Sequence, residues 1–137
     1  MSIFTIFDTA ATGMSAQSLR LNLVASNMAN VDSVSSSIED TYRSRQPVFR
    51  AILNELNPDG PSAGVKMAGV VESQAPLRRE YLPDHPLADD NGYIYRPNVN
   101  MVEEMANMIS ASRSYQSNTE VVNAAKQMLS ATLRMGE

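Results

Sequence analysis

From Met101 to Met135 no proline or glycine interrupts the chain. Within that run Met101, Met108, Tyr115, Val122 and Leu129 recur every seven residues, flanked by Met105, Ser112, Thr119 and Leu133. A heptad row of this kind is the narrow seam of a coiled-coil helix. Asn100 and Glu103 stand just before it with the spacing of a capping box, so the helix is expected to begin at Met101. A continuous helix to Met135 is roughly 50 Å long at 1.5 Å per residue. That exceeds what a chain of 137 residues can enclose as a private core.

The opposite end has the same character. From Ile3 to about Val31 there is no proline, and the single glycine is Gly13. Phe7, Met14, Leu21 and Met28 form one row of period seven, and Phe4, Ala11, Ser18 and Ala25 form a second, smaller row expected on roughly the same face. Small residues let a partner helix approach closely.

Between the ends the composition changes. All seven prolines fall between Asp32 and Pro97. Ser33 to Ser37 is a polar breaker that ends the first helix. Four short apolar or alternating runs follow, at Val48 to Leu53, Val65 to Glu72, Leu77 to Leu82 and Tyr93 to Tyr95. Asn57-Pro58-Asp59-Gly60, Gln74-Ala75-Pro76 and Asp89-Asp90-Asn91-Gly92 read as turns between them. The expected fold is mainly α with a small β insert. Its long N- and C-terminal helices pair as a coiled-coil-like hairpin with short strands between them. The expected divisions are residues 1–36 for the first helix, 37–97 for the insert and 98–137 for the second helix. So few strands need support from something larger.

Composition excludes several classes of function. A formal charge of -4 argues against nucleic acid or anionic lipid as the main partner, since both require a basic surface. Absence of cysteine removes disulfides, thiol catalysis and thiolate metal sites. No apolar run approaches membrane-spanning length, and the first residues lack the basic segment of a cleaved signal. Direct membrane insertion and cleaved-signal export are therefore not expected.

Candidate chemical sites are few. His85, the single histidine, lies between Asp84 and Pro86, where a turn is expected rather than a catalytic base. Glu103 and Glu104 are adjacent, so on a helix they diverge and make a poor acid/base pair, while their first-turn position suits the helix dipole. Leu87 to Ile94 resembles the middle of an EF-hand loop, with Asp89, Asn91 and Gly92 at its third, fifth and sixth positions. Leu87 and Asn98 occupy the first and twelfth positions, where carboxylates are required, so a polar turn is expected instead. No phosphate-binding loop occurs, and neither catalytic residues, a cofactor nor a metal is expected.

Asn27 and Asn30 are three apart and share a helical face. Their amides can either fix register at an interface or help to end the helix before Asp32.

Several ordered motifs resemble those of the axial proteins of the bacterial flagellum, in particular the C-type proximal rod group. They include Leu23 to Ser33 with its asparagines, Ser15-Ala16-Gln17-Ser18, Glu72-Ser73-Gln74-Ala75-Pro76 and His85 to Tyr93. Pro97-Asn98-Val99-Asn100 and Ser110-Ala111-Ser112-Arg113-Ser114-Tyr115-Gln116 complete the series. Met28 stands where leucine is usual. The resemblance implies a non-enzymatic structural subunit of the basal-body rod, which packs by its helical ends into a tube that transmits torque and surrounds the export channel. It implies as partners further copies of itself, other rod proteins, the membrane-ring junction adaptor, the distal rod and, in transit, the flagellar type III export apparatus. It also implies a periplasmic place in the basal body and export without a cleaved signal peptide. With the resemblance, Asn27 and Asn30 join the heptad rows as expected assembly residues. The alternative reading is a self-contained periplasmic adaptor or export-linked binding module whose helices close on themselves.

Overall fold

Helix, four strands and helix follow one another along the chain. The computed structural model describes residues 3–53 and 64–135. The elements are α1 (Ile3–Ala29), β1 (Arg45–Ile52), β2 (Gly64–Glu72), β3 (Arg78–Tyr81), β4 (Tyr93–Arg96) and α2 (Met101–Met135). The fold is mainly helical with a small β insert, as the periodicity indicates. The expected turn at Asn57-Pro58-Asp59-Gly60 lies outside the described residues.

Each helix ends where its local chemistry dictates. Asn100 caps α2, its Oδ1 accepting from the backbone N–H groups of Val102 at 3.1 Å and Glu103 at 3.5 Å. These are two of the amides that the first turn leaves without a helical partner. At the end of α1, Asn30 Nδ2 donates to the Ser26 carbonyl at 2.8 Å, and Ser33 Oγ donates to the Asn30 carbonyl at 2.8 Å. Both bonds satisfy acceptors that the last turn exposes.

The strands form two separate pairs. β1 pairs with β2, and the Ser73 N–H donates to the Ser44 carbonyl at 2.8 Å just past the strand ends. β3 and β4 are antiparallel, with Arg78 opposite Arg96, Arg79 opposite Tyr95, Glu80 opposite Ile94 and Tyr81 opposite Tyr93. The Arg78–Arg79 pair is exposed on this hairpin but anchored. Arg78 Nε donates to the Pro97 carbonyl at 3.3 Å, and the Arg79 guanidinium lies 4.3 Å from the centre of the Tyr93 ring. The breaker segment also contributes pairing, since Ser35 and Tyr95 exchange two backbone bonds of 3.0 Å.

Two compact units make up the chain. One comprises Met1–Leu21, Pro47–Gly69 and Ile109–Glu137, the other Asn22–Gln46 and Val70–Met108. In the first, every buried apolar side chain among the described residues is alanine: Ala10, Ala16, Ala111 and Ala125. In the second, Val24, Val31, Ile94 and Val99 are buried, with Pro97, Asn27, Thr41, Ser44 and Glu104 among them. One unit thus closes on small side chains, and the other mixes apolar and polar ones.

Candidate assembly interface

In the alanine-lined unit the two helices meet across Gly13. A methyl group there would lie 2.8 Å from Asn118 Nδ2, closer than real side chains approach. Glycine thus removes the side chain that would hold α2 away. One residue on, Thr119 Oγ1 lies 3.6 Å from Met14 Sδ. The start of β2 rests on α1 in the same unit. The Val65 N–H donates to Thr12 Oγ1 at 3.3 Å, and Gly64 takes a φ of +154° with its α-carbon against that threonine.

The heptad rows lie along the flanks of both helices. Phe7, Met14, Leu21 and Met28 are half-buried along α1. On α2 Met101, Met108, Val122 and Leu129 are half-buried, whereas Tyr115 is 41% exposed. The second row requires correction. Phe4, Ala11, Ser18 and Ala25 are exposed, and the buried companions lie three residues on from the main row, at Ala10, Val24 and Val31, with Gln17 half-buried between them. α2 repeats the offset, burying Glu104, Ala111 and Ala125 while Met105 and Leu133 remain exposed. Small residues occur on both flanks of the row, so hydrophobicity does not distinguish them. What decides is the surface that the other helix presents.

Asn27 lies in the mixed unit and is 1% exposed. Its Nδ2 donates to Glu104 Oε1 at 3.1 Å and to the Arg45 carbonyl at 2.9 Å. Its Oδ1 accepts from the Arg45 N–H at 2.9 Å and from the Tyr42 hydroxyl at 2.8 Å. One amide therefore ties α1, the entry to β1 and the first turn of α2 together. Asn30, half-buried, serves the helix end described above instead. The two asparagines thus differ: one joins three segments of the chain, and the other helps to end α1.

Asn98 performs a similar task. Its Oδ1 accepts from the Ser44 N–H at 2.8 Å, and its Nδ2 donates to the carbonyls of Ser73 at 3.2 Å and Ala75 at 2.9 Å. Glu104, Tyr42 and Asn98 are structural residues that pattern reasoning passes over. Glu104 carries the one available signal, because it continues the heptad offset of Ala111 and Ala125.

Around Asp89 the acidic loop is a polar turn. Asp89 Oδ1 accepts from the N–H groups of Asn91 at 2.9 Å and Tyr93 at 2.8 Å, while Oδ2 accepts from the Tyr95 hydroxyl at 3.3 Å. The bond from the Tyr93 amide leads the causes that hold this carboxyl below the usual range. His85 is part of the same loop, its Nδ1 accepting from the Leu87 N–H at 3.1 Å. Among the described residues there is no group of three side chains able to hold a metal ion, and no helix long and apolar enough to cross a membrane.

Large apolar side chains are instead displayed along the helices. In the alanine-lined unit Phe4 is 73% exposed, Ile109 56% and Leu133 66%, and Leu19, Val121 and Met128 are also exposed. Scattered apolar residues on a surface are ordinary, but here several large ones are exposed while the fully buried apolar side chains are alanines.

The sequence also matches known proteins. Residues 7–35 match the family described as flagella basal body rod protein, and residues 90–135 match the C-terminal family of flagellar basal body rod FlgEFG proteins. The chain is 49% identical to the flagellar basal-body rod protein FlgC of Salmonella typhimurium and 48% identical to that of Escherichia coli O157:H7, in each case over the full length of both chains. It is 35% identical to the protein of the same name from Borreliella burgdorferi, over 97% of each chain.

Proposed function

The chain belongs to the flagellar basal-body rod proteins, and from that premise we propose that residues 1–36 and 98–137 act as one assembly domain carrying the 37–97 insert. Its function is structural: it is a subunit of the basal-body rod. The observation that carries the finer reading is the inverted apolar distribution of the alanine-lined unit. A helical unit that buries alanine and displays Phe4, Ile109, Val121, Met128 and Leu133 gains its hydrophobic stabilisation from neighbours. In this reading the largely half-buried rows Phe7, Met14, Leu21, Met28 and Met101, Met108, Tyr115, Val122, Leu129 border the assembly surface, while Asn27 and Asn30 hold from inside the chain the backbone that positions it. Repetition of modest helix contacts around a closed tube makes loss of any one subunit improbable.

The partners that follow are further copies of this chain, other rod proteins, the membrane-ring junction adaptor and the distal rod. The type III export apparatus handles the chain in transit, and the assembled site is periplasmic. The tube transmits torque and surrounds the export channel, and binding rather than catalysis does this work. A self-contained adaptor is not favoured, because its helices would have to cover the side chains that are displayed.

Complementation of a deletion strain tests the proposal. Val121→Glu and Met128→Glu chains are expected to be made and exported yet to leave cells non-motile, without completed rods. Motile cells with intact rods from either variant would sink the assembly reading.

A further inference from the structure

The sequence contains one Asn-Gly step, Asn91-Gly92. Next to glycine an asparagine side chain is open to attack by the following backbone nitrogen, because no Cβ screens it. In that reaction the Gly92 nitrogen loses its proton and bonds to Asn91 Cγ, the Cγ–Nδ2 bond breaks, and ammonia leaves. Water then opens the five-membered imide at either carbonyl, giving aspartate or isoaspartate at position 91.

The loop engages the attacking group. Gly92 sits at a φ of +79°, and its N–H donates to the Asp89 carbonyl at 2.9 Å. The amides on both sides are fixed as well, since Asp89 Oδ1 accepts from Asn91 and Tyr93. The ring is closed by the Asp89 N–H, which donates to the Tyr93 carbonyl at 2.8 Å. An amide whose proton is held by an internal acceptor yields it only when the segment opens. Asn91 itself is exposed, so water reaches the site.

We propose that Asn91-Gly92 is a deamidation site that the Asp89-centred loop holds closed in the folded chain, and that it opens whenever the loop does. Isoaspartate adds one methylene to the backbone between positions 91 and 92. The added atom displaces Gly92 from the Asp89 carbonyl or strains the turn that leads into β4. A chain carrying isoaspartate before folding therefore closes the loop less readily, whereas aspartate leaves the backbone length unchanged. This inference is independent of the assembly reading, since it concerns the lone chain.

Incubation of the full-length chain at mildly alkaline pH, in native buffer and in concentrated urea, tests it, with deamidation at position 91 followed by intact mass and peptide mapping. Asp59-Gly60 isomerises without a change of mass and is separated by mapping. Conversion is expected in urea and is expected to be slower in the folded chain by about tenfold or more, a factor equivalent to about 1.4 kcal/mol of loop closure. Asp89→Ala, which removes the side-chain acceptor, is expected to bring the rate in native buffer close to the urea rate. Asp89→Asn keeps an oxygen acceptor and is expected to retain protection, with circular dichroism checking that both variants fold. Equal rates in buffer and urea, no conversion in urea, or an Asp89→Ala chain as resistant as the unmodified one would each overturn the proposal.

Discussion

Asn27 Nδ2 donates to Glu104 Oε1 at 3.1 Å across 77 residues of sequence, and both side chains are buried. A buried carboxylate and a buried amide are each costly to leave without partners, so this pairing specifies one arrangement of the surrounding backbone.

Asn27→Ala removes both donor bonds and both acceptor bonds of that amide at once. The expected loss is roughly 2–4 kcal/mol, because a buried acceptor on Glu104 and the Arg45 backbone groups lose a partner together. Asn27→Asp is expected to be at least as costly, since it replaces the two Nδ2 donor bonds with an acceptor facing Glu104 Oε1 and the Arg45 carbonyl. Urea unfolding of the two variants measures both effects.

Asn98→Ala removes the side-chain bridge between the Ser44 amide and the Ser73–Ala75 carbonyls, leaving the backbone bond from Ser73 to Ser44 in place. A loss of roughly 1–3 kcal/mol is expected, concentrated in the unit that contains these residues. Amide exchange read by NMR should show the Ser44 N–H among the most accelerated positions. An unchanged Ser44 rate would mean that Asn98 does not hold that amide.

Gly13 sets how near α2 can come to α1 in the alanine-lined unit. Gly13→Ala gains about 1 kcal/mol of helix propensity and meets only the mobile end of Asn118, so a net change within about 1 kcal/mol is expected. Gly13→Val adds branched bulk at the same place and is expected to destabilise by roughly 1–3 kcal/mol. Equal behaviour of the two variants in thermal unfolding would refute the close approach.

Asp89 has a carboxyl held below its ordinary range, chiefly by the Tyr93 amide. A depressed folded-state value means that the ionised form is favoured by folding. The contribution is fully present above the ordinary carboxylate range and is lost as pH falls through the lower, folded value. The loop is therefore expected to stay closed in mild acid and to open only below the usual aspartate range. Exchange of the Tyr93 amide, followed down a pH series and corrected for its intrinsic rate, reads this directly.

Much of the fold is legible in the sequence because it rests on local rules. The absence of proline and glycine between Met101 and Met135, with the cap at Asn100, sets the limits of α2. The strands begin and end within a few residues of the alternating runs, since turn residues bracket them. The buried side of each helix was not legible. Hydropathy places Ala11 and Ala10 on equal terms, and only the opposing helix buries Ala10 and exposes Ala11. The bracing roles of Asn98 and Tyr42 are not legible for a related reason. Their partners lie 15 to 54 residues away, beyond any periodic signal.

The alanine interior described above has a mechanical consequence. Side chains that interlock resist sliding and rolling, because each must leave its hole before the helices can shift. Ala10, Ala16, Ala111 and Ala125 offer no such teeth. On the assembly reading proposed above, a lone hairpin of this kind is compliant in torsion, and rigidity enters as neighbouring copies wedge the exposed Phe4, Val121 and Met128 between them. Stiffness in a shaft built from such parts belongs to the array, and it rises as the array closes.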